Sequence, residues 1–279
     1  MDYLEVNFTL SPYEEFIADL LMETLGEIGF ESFQLADQQF FAYIQESNFN
    51  QKILDDKLSK FEYPVSIDYN ILLLENKDWN EEWEKNFFQP ILIDNDCVVH
   101  SSFHQKVPEA KYDIVINPKM AFGTGHHETT ALMLGELLKM NLGKKNLLDM
   151  GCGTAVLSIL ASLRGASSVV AVDIDDWCIE NSMENIRLNK IKNIELRKGG
   201  AEVLKDVHVD IVLANINRNI LLKDMKFYAA CLPTGGELYL SGFYVEDIPM
   251  IEAEAEKNGL QLAYFKEKNN WALVKTIKK

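Results

Sequence analysis

Residues 147–173, LLDMGCGTAVLSILASLRGASSVVAVD, carry the most informative pattern in this chain of 279 residues. One apolar run ends in Asp149, glycines follow at positions 151 and 153, and a second apolar run ends in Asp173. This order predicts a strand, a tight turn, a helix and a second, parallel strand with an acid at its end. Ligands of such sheets bind at the carboxyl ends of the strands.

The glycine turn predicts the kind of ligand. Gly151 and Gly153 would let the backbone approach a ligand without a Cβ atom in the way. A dinucleotide-binding turn has a third glycine, and Val156 stands at that position. The turn therefore favours an adenosine-bearing cofactor without a phosphate, such as S-adenosylmethionine. We expect Asp173 to accept hydrogen bonds from both ribose hydroxyls, and Asp149 to orient the loop or to meet the ammonium end of the cofactor.

Apolar residues from about position 129 onward alternate between helical and strand periods. Helices are predicted at 129–140, 155–164, 176–189, 221–232 and 245–258. Strands are predicted at 146–149, 169–173, 194–198, 211–214, 237–241, 260–267 and 271–276. The last two strands are joined closely enough for a hairpin. We therefore predict an α/β fold with a doubly wound, mostly parallel seven-stranded sheet and an antiparallel terminal strand.

Residues 1–75 have the pattern of a separate, small α+β domain. A strand at 3–10 precedes a predicted helix with Ser11 as N-cap and Pro12 at its first position. One or two further strands within 30–44, a second short helix and a strand at 65–74 follow, in an order that resembles ferredoxin-like domains. This part contains no catalytic constellation, which favours a role in recognition or a purely structural one.

Residues 76–100 are predicted to form a linker helix and a connection to the second domain, 101–279. Trp79, Trp83 and Phe87 recur every four residues and would share one helix face. Packing of this face against a domain is the simpler interpretation, and an aromatic ligand-binding box is the alternative.

Composition limits the classes of partner. The chain has 27 basic and 43 acidic residues, which gives a net charge of −16. This charge repels nucleic-acid phosphates and attracts a basic partner. The alternative is that it serves only to keep the protein soluble. The four cysteines form no C-x-x-C pair, and the triplet at 126–128 lacks the second histidine of a zinc motif because Ala131 occupies its place. No stretch is long enough to span a membrane. We expect no metal, no membrane or nucleic-acid binding, a cytoplasmic location and a monomer.

Residues 117–130, NPKMAFGTGHHETT, form the second informative segment. Two glycines bracket Thr124, and the amides at the start of the following helix would suit a carboxylate group. The hydroxyls of Thr129 and Thr130 could cap this helix or contact the cofactor. We count Phe122 and Thr124 among the expected cofactor contacts, with a place in the core as the alternative for Phe122.

These segments resemble the ribosomal protein L11 methyltransferase family, PrmA. Residues 121–130 look like the signature loop of that family, and residues 148–154 match its cofactor loop. Residues 214–216, Ala-Asn-Ile, are similar to its motif after the fourth strand, and residues 78–90 to its linker helix. The resemblance covers most of the chain, in order.

The resemblance implies transfer of methyl groups from S-adenosylmethionine to amino groups, on lysine side chains or the N-terminus, of a basic large-subunit ribosomal protein. It also implies that the amino-terminal domain grips this substrate and that residues 101–279 form the methyltransferase domain. By matched position, the cofactor contacts fall on Thr130, Gly151, Asp173 and Asn215. The chain departs from the family pattern at Asn117, Lys119 and Asn217, which affects the shape of the substrate entrance.

Asn215 is the candidate catalytic residue. Its side-chain carbonyl could accept a hydrogen bond from the attacking amine, or it could cap the following helix. Displacement at a sulfonium carbon needs a neutral amine, positioning and exclusion of water more than a strong acid. A nicotinamide-dependent oxidoreductase is disfavoured by Val156. Methyltransferases of nucleic acids or glutamine amides usually have Asn-Pro-Pro-Tyr where this chain has Asn-Ile-Asn-Arg, residues 215–218. A class I methyltransferase for another protein or a small molecule stays open.

Overall fold

The computed structural model describes residues 3–36, 39–61, 63–74, 89–119 and 121–279. Contacts divide the chain into two compact units, Met1–Glu82 and Trp83–Lys279. The predicted linker helix, with Trp79, Trp83 and Phe87, lies outside the described residues. The domain boundaries at 75 and 100 therefore stay predictions.

The amino-terminal unit is a four-stranded antiparallel sheet with two helices. Its elements are β1 (Tyr3–Ser11), α1 (Glu15–Gly26), β2 (Ser32–Ala36), β3 (Gln39–Gln45), α2 (Gln51–Ser59) and β4 (Ser66–Leu74). The strand order is β2-β3-β1-β4, which confirms the predicted ferredoxin-like arrangement. Alternate strand residues such as Phe8 and Phe40 are fully buried in one core with Leu21 of α1.

The predicted start of α1 is wrong. Ser11 is the last residue of β1, where it pairs with Ser66 of β4, and the helix begins four residues later, at Glu15. The ladder between β1 and β4 runs the whole length of both strands, so it keeps the backbone extended past the point where Ser11 would have capped a helix.

The second unit begins with a three-stranded sheet and continues as an alternation of helices and strands. The elements are β5 (Ile91–Ile93), β6 (Cys97–His100), β7 (Tyr112–Val115), α3 (Glu128–Leu137), β8 (Asn146–Met150), α4 (Val156–Leu163), β9 (Ser168–Asp173), α5 (Asp176–Leu188), β10 (Ile194–Lys198), β11 (Ile211–Asn215), α6 (Arg218–Cys231), β12 (Glu237–Tyr244), α7 (Ile248–Lys257), β13 (Leu260–Lys268) and β14 (Trp271–Lys278).

The large sheet has seven strands in the order β10-β9-β8-β11-β12-β14-β13. The first five are parallel, whereas β14 is antiparallel to both β12 and β13. This confirms the doubly wound sheet and the antiparallel hairpin at its end. The chain reverses its direction of winding between β8 and β11, so their carboxyl ends flank a natural crevice for a ligand.

Val156 explains why this turn lacks a third glycine. It is the first residue of α4, it is 1% exposed, and it belongs to the apolar cluster on one side of the sheet. A glycine there would leave a void in the core, so the position serves packing. Among the described residues, no helix is long and apolar enough to cross a membrane.

Candidate functional site

A pocket of about 950 Å³ lies at the carboxyl ends of the parallel strands. Its volume is within the range of small-molecule sites. The lining comes from the ends of β8, β9 and β11, the glycine turn, the loop before α3 and the end of the sheet's hairpin. It includes Phe122, Gly151, Gly153, Asp173, Asn215 and Trp271. Four of the predicted site residues and the catalytic candidate thus share one pocket.

Asp173 holds the glycine turn in place. Its Oδ2 accepts a hydrogen bond from the amide of Gly153 at 2.9 Å, and its Oδ1 accepts one from the amide of Asp175 at 3.1 Å. A carboxylate has about four lone-pair sites, so each oxygen can accept a further donor. The half-buried carboxylate therefore positions the turn and stays available to hydroxyl groups in the pocket.

Both glycines of the turn are required by close packing. Gly151 has a φ of 72°, and a Cβ atom there would lie 2.1 Å from Cγ2 of Ile216. Gly153 has a φ of 54°, and its Cβ would lie 2.2 Å from the carbonyl oxygen of Phe122. The bare main chain at these positions lets three segments of the pocket wall meet directly.

Asp149 lies behind the turn and does not line the pocket. It is 1% exposed, and its Oδ2 accepts hydrogen bonds from the amide and the hydroxyl of Ser158 in α4, at 3.2 and 2.6 Å. Burial raises the pKa of this carboxyl to about 6, and the bonds from Ser158 act in the opposite direction. This geometry matches orientation of the turn and the helix, the first of its two predicted roles.

The loop before α3 is tied to the glycine turn by Thr154. Its hydroxyl donates to the carbonyl of Gly123 at 2.6 Å, and its amide donates to the carbonyl of Phe122 at 3.0 Å. Phe122 is 53% exposed and lines the pocket, so the alternative of a core residue is wrong. Thr124 is half-buried and is not part of the lining.

The cap of α3 is a histidine. Nδ1 of His127 accepts the amide hydrogen of Thr129 and lies 2.8 Å from its hydroxyl. Both threonines are buried, and Thr129 lines the pocket. The hydroxyl of Thr130 instead accepts a hydrogen bond from Nδ2 of Asn215 at 3.3 Å, across the gap between α3 and β11.

Asn215 has an unused acceptor. Its Nδ2 is bonded to Thr130, but its Oδ1 is buried and meets no donor among the described residues. Asn217, not Asn215, caps α6, because its side chain accepts the amide hydrogen of Asn219 at 2.9 Å. The helix-cap alternative for Asn215 is therefore wrong. Buried acceptors without a donor are rare in proteins, so this oxygen is a candidate to meet a donor on a ligand.

The three departures from the family pattern occupy different places. Asn117 holds its loop to α5: its amide donates to Asn185 at 2.9 Å, and its carbonyl accepts from Asn181 at 2.7 Å. Lys119 forms an ion pair with another side chain of α5. Lys119 and Asn217 are both exposed, but of the three residues Asn217 alone lines the pocket. Of the three, Asn217 is thus the one placed to affect the shape of the site.

Sequence reasoning missed the side chains at the rim of the pocket. His127 and Trp271 line it, and their ring centroids are 4.6 Å apart. Ile174, directly after Asp173, also lines it and is 74% exposed. The position of Ile174 beside a predicted ligand acid was a usable signal. The contact between His127 and Trp271 joins segments more than a hundred residues apart, so no local sequence pattern predicts it.

These residues fit an adenosine-bearing cofactor. The turn held by Asp173 offers acceptors and bare main chain, and Asn215, whose side-chain oxygen is buried and unpartnered, lines the same pocket. Within the described part of the chain, no group of three or more His, Cys, Asp or Glu side chains could hold a metal ion.

Comparisons with known proteins agree with this arrangement. The family model "Ribosomal protein L11 methyltransferase (PrmA)" matches residues 19–279. The chain is 56% identical over 277 residues to the ribosomal protein L11 methyltransferase of Bacteroides thetaiotaomicron, covering 99% of each chain. It is 54% identical over 279 residues to that of Bacteroides fragilis, covering 99% of this chain and 100% of the relative.

A solved structure shows the same fold in the larger part of the chain. The crystal structure of ribosomal protein L11 methylase from Lactobacillus delbrueckii subsp. bulgaricus superposes with a TM-score of 0.64 at 27% identity. The match covers 68% of this chain and 99% of that one.

Proposed function

The chain belongs to the ribosomal protein L11 methyltransferase family (PrmA), and we propose that it transfers methyl groups from S-adenosylmethionine to amino groups of ribosomal protein L11. One observation carries the proposal: in a chain that matches the family almost throughout, a single pocket combines the turn held by Asp173 with the unpartnered carbonyl of Asn215. Lysine side chains and the N-terminal amine are the acceptor groups.

The cofactor site is formed by the turn and its neighbours. Asp173 accepts the ribose hydroxyls, and the bare main chain at Gly151 and Gly153 forms the wall beside the rest of the molecule. Ile174 offers an exposed apolar surface to the adenine ring. When bound, S-adenosylmethionine supplies an electrophilic methyl group on a positively charged sulfur. Asp149 acts from behind by fixing α4.

The acceptor amine must be neutral when it attacks. A free lysine has a pKa of about 10.4, and an apolar surrounding lowers this pKa because it disfavours the charged form. Phe122, Ile216 and Trp271 supply such a surrounding in the pocket. With S-adenosylmethionine bound, the lone pair of the neutral amine would form the new N–C bond as the C–S bond breaks and leaves its electron pair on sulfur. The surplus proton passes to solvent.

Asn215 orients this amine. Its Oδ1 accepts an N–H of the acceptor, so the nitrogen lone pair points toward the methyl carbon. Thr130 fixes the amide group by accepting from Nδ2, and Oδ1 on the other side of the amide has no donor among the described residues. Thr130 is therefore a positioning residue and Asn215 a catalytic one in this proposal.

The distribution of charge supports a basic protein substrate. Residues 1–82 contain 18 acidic and 4 basic residues, whereas the remaining residues contain 25 acidic and 23 basic ones. Almost all of the net charge of −16 therefore lies in the amino-terminal unit, which attracts a basic protein and repels nucleic acid. This supports recognition of the substrate by that unit.

The remaining parts of the proposal concern assembly and location. The proposal includes an enzyme that acts as a monomer. All four cysteines are free, as expected in the reducing cytoplasm, where ribosomal proteins are made.

The test is methyl transfer with the purified components. The chain is incubated with methyl-labelled S-adenosylmethionine and ribosomal protein L11, and the acceptor is mapped by mass spectrometry of peptides. We expect label on amines of ribosomal protein L11 and none with the Asp173→Ala variant. Calorimetric binding of the cofactor without any transfer to this protein, but with transfer to another protein or a small molecule, would overturn the proposed substrate.

A further inference from the structure

The last turn of α3 carries a buried carboxylate. Glu136 is 4% exposed, and both of its oxygens are bonded: Oε2 accepts from the hydroxyl of Tyr264, and Oε1 accepts from Nζ of Lys266. Both donors belong to β13, the edge strand of the large sheet. Burial of an ion pair is costly, and apolar side chains of similar volume often pack as well or better. The stability of the fold alone therefore does not account for an acid at this position.

An irregularity in β13 turns the two donors toward α3. Side chains alternate between the two faces of a strand, so Tyr264 would normally share a face with Leu260 and Leu262. Those two leucines pack in the apolar cluster that includes residues of α6 and α7. The register of β13 against β14 shifts between Leu262 and Tyr264. The extra residue at this shift places Tyr264 and Lys266 on the opposite face, where they meet Glu136.

A second bond joins the other end of α3 to the same hairpin. Oε1 of Glu128, the first residue of the helix, accepts from Nδ2 of Asn269 at 2.9 Å, in the turn between β13 and β14. Glu128 and Glu136 are separated by about 12 Å along the helix axis, at a rise of about 1.5 Å per residue. The hairpin thus holds α3 near both of its ends. We call Glu136, Tyr264 and Lys266 the α3 anchor.

The exact position of α3 matters at the pocket. Thr130 of this helix accepts from Nδ2 of Asn215 at 3.3 Å, just beyond the usual range of about 2.7–3.2 Å for such bonds. A shift of α3 by roughly half an ångström would break this bond. Thr130 lies about 9 Å from Glu136 along the axis of the same helix. A displacement at the anchored end is therefore transmitted to Thr130 and to the amide of Asn215.

We propose that the α3 anchor is a positioning device for methyl transfer, which holds Thr130 where it fixes the side chain of Asn215 for the acceptor amine. The inference rests on the proposed function. Hydrogen bonds are directional, so they fix the rotation of the helix and its position along the axis, whereas apolar contacts are non-directional. None of the three anchor residues lines the pocket, so they act only through α3.

The chain offers a matched control for Glu136. Glu237 also accepts from one tyrosine and one lysine, Tyr239 at 2.7 Å and Lys275 at 2.8 Å, but both of these donors belong to strands of the sheet. Glu136→Gln and Glu237→Gln should lose similar stability in urea. We expect kcat for methylation of ribosomal protein L11 to fall roughly fivefold or more in Glu136→Gln and less than about twofold in Glu237→Gln. The dissociation constant of S-adenosylmethionine should change less than about twofold in both.

A second genetic background separates positioning from stability. Because the anchor acts through Thr130, Glu136→Gln should lower kcat by less than about twofold when Thr130→Ala is already present, while its cost in stability stays the same. Lys266→Met removes the charge of the less buried partner and should reproduce the loss of kcat, and Lys266→Arg should retain most of the activity. Unchanged kcat in Glu136→Gln and Lys266→Met, an equal loss in Glu237→Gln, or the same loss in both backgrounds would overturn the inference.

A further measurement does not depend on turnover. The side-chain amide resonances of Asn215, identified by their loss in Asn215→Ala, report on the bond to Thr130. We expect them to shift in Glu136→Gln and to stay unchanged in Glu237→Gln. Equal responses in the two variants would overturn the inference. Absence of any transfer to ribosomal protein L11 by the wild-type enzyme would instead overturn the proposed function, and the amide resonances would still decide whether the anchor positions Asn215.

Discussion

Gly242 and Ile216 pack main chain against main chain: a Cβ atom at position 242 would lie 2.3 Å from the carbonyl oxygen of Ile216. The side chain of Ile216 fills the space where a Cβ of Gly151 would stand, 2.1 Å away. The segment that follows Asn215 is therefore clamped between the glycine turn and β12, at the shift of register between Ser241 and Phe243. This clamp couples the catalytic candidate to both the cofactor loop and the end of β12.

Gly242→Ala should break this clamp. We expect a loss of about 1–2 kcal/mol in the free energy of unfolding from the left-handed backbone alone, and at least a tenfold loss of turnover because Ile216 must move. The matched control is Gly235→Ala. Gly235 has a φ of 80° but no atom within 4 Å of its Cβ position, so it should lose stability without losing turnover. Urea denaturation and steady-state kinetics measure the two effects. Equal turnover in the two variants would show that the clamp has no role in catalysis.

The clamp around Ile216 also shows which features of the site the sequence could not predict. The glycine turn, Asp173 and the alternation of elements were predictable because each depends on the spacing of residues within one short segment. The requirement for glycine at position 242 was not predictable, because it arises from the main chain of Ile216, directly after the adjacent strand β11. The same holds for the ring contact between Tyr244 of β12 and Trp271 of β14, whose centroids are 4.2 Å apart. It needs both the hairpin, which was predicted, and the register shift in β12, which was not.

Predictions of element boundaries and of the roles of polar side chains failed for a related reason. Ser11 has the composition of a helix cap, but pairing with Ser66 keeps it in a strand. The choice between two roles for Asn215 required knowledge that Asn217 already caps α6. Local sequence patterns identify candidate residues for a role, and long-range packing determines which candidate takes that role.

Asp173→Asn should weaken cofactor binding selectively. The amide oxygen can still accept from Gly153, which preserves the turn, but the bond from the amide of Asp175 is lost. The charge that strengthens bonds to the ribose hydroxyls is lost too. We expect the calorimetric dissociation constant of S-adenosylmethionine to rise roughly tenfold or more. Asp176→Asn is the control, since Asp176 pairs with Lys198 on the surface and does not line the pocket. A change of less than twofold in Asp173→Asn would exclude the proposed contact.

Asn215→Ala should lower turnover more than cofactor affinity. The variant removes the acceptor that orients the amine, an interaction needed in the transition state, while Asp173 and the turn remain. We expect kcat to fall roughly tenfold or more and the cofactor dissociation constant to change less than threefold. Asn193→Ala serves as control, because that side chain bonds the carbonyls of Ala166 and Ser167 and does not line the pocket. Parallel losses in both constants for Asn215→Ala would indicate a binding role instead.

Asp149 should give the stability of the fold a specific pH dependence. Its pKa is raised to about 6, so the folded state keeps a proton that the unfolded chain releases near pH 4. Stability contributed by this group therefore falls as the pH rises from about 4 to about 6. Asp149→Asn keeps an acceptor for Ser158 and never ionises. Relative to wild type it should gain up to about 3 kcal/mol across this window. Urea denaturation at several pH values measures the difference, and parallel curves for the two proteins would contradict the assignment.

A higher salt concentration should weaken binding of the protein substrate without changing the rate of methyl transfer. Because most of the net charge lies in residues 1–82, attraction of a basic protein to this unit is screened as ionic strength rises. Between about 0.05 and 0.3 M salt we expect KM for ribosomal protein L11 to rise severalfold while kcat stays constant. Replacing two exposed acids of this unit, Glu46→Gln and Asp68→Asn, should flatten the dependence. The same change of charge at Glu256 and Glu267 of the other unit should not. An equal effect of the two double variants would mean that net charge as a whole, and not the amino-terminal unit, governs the encounter.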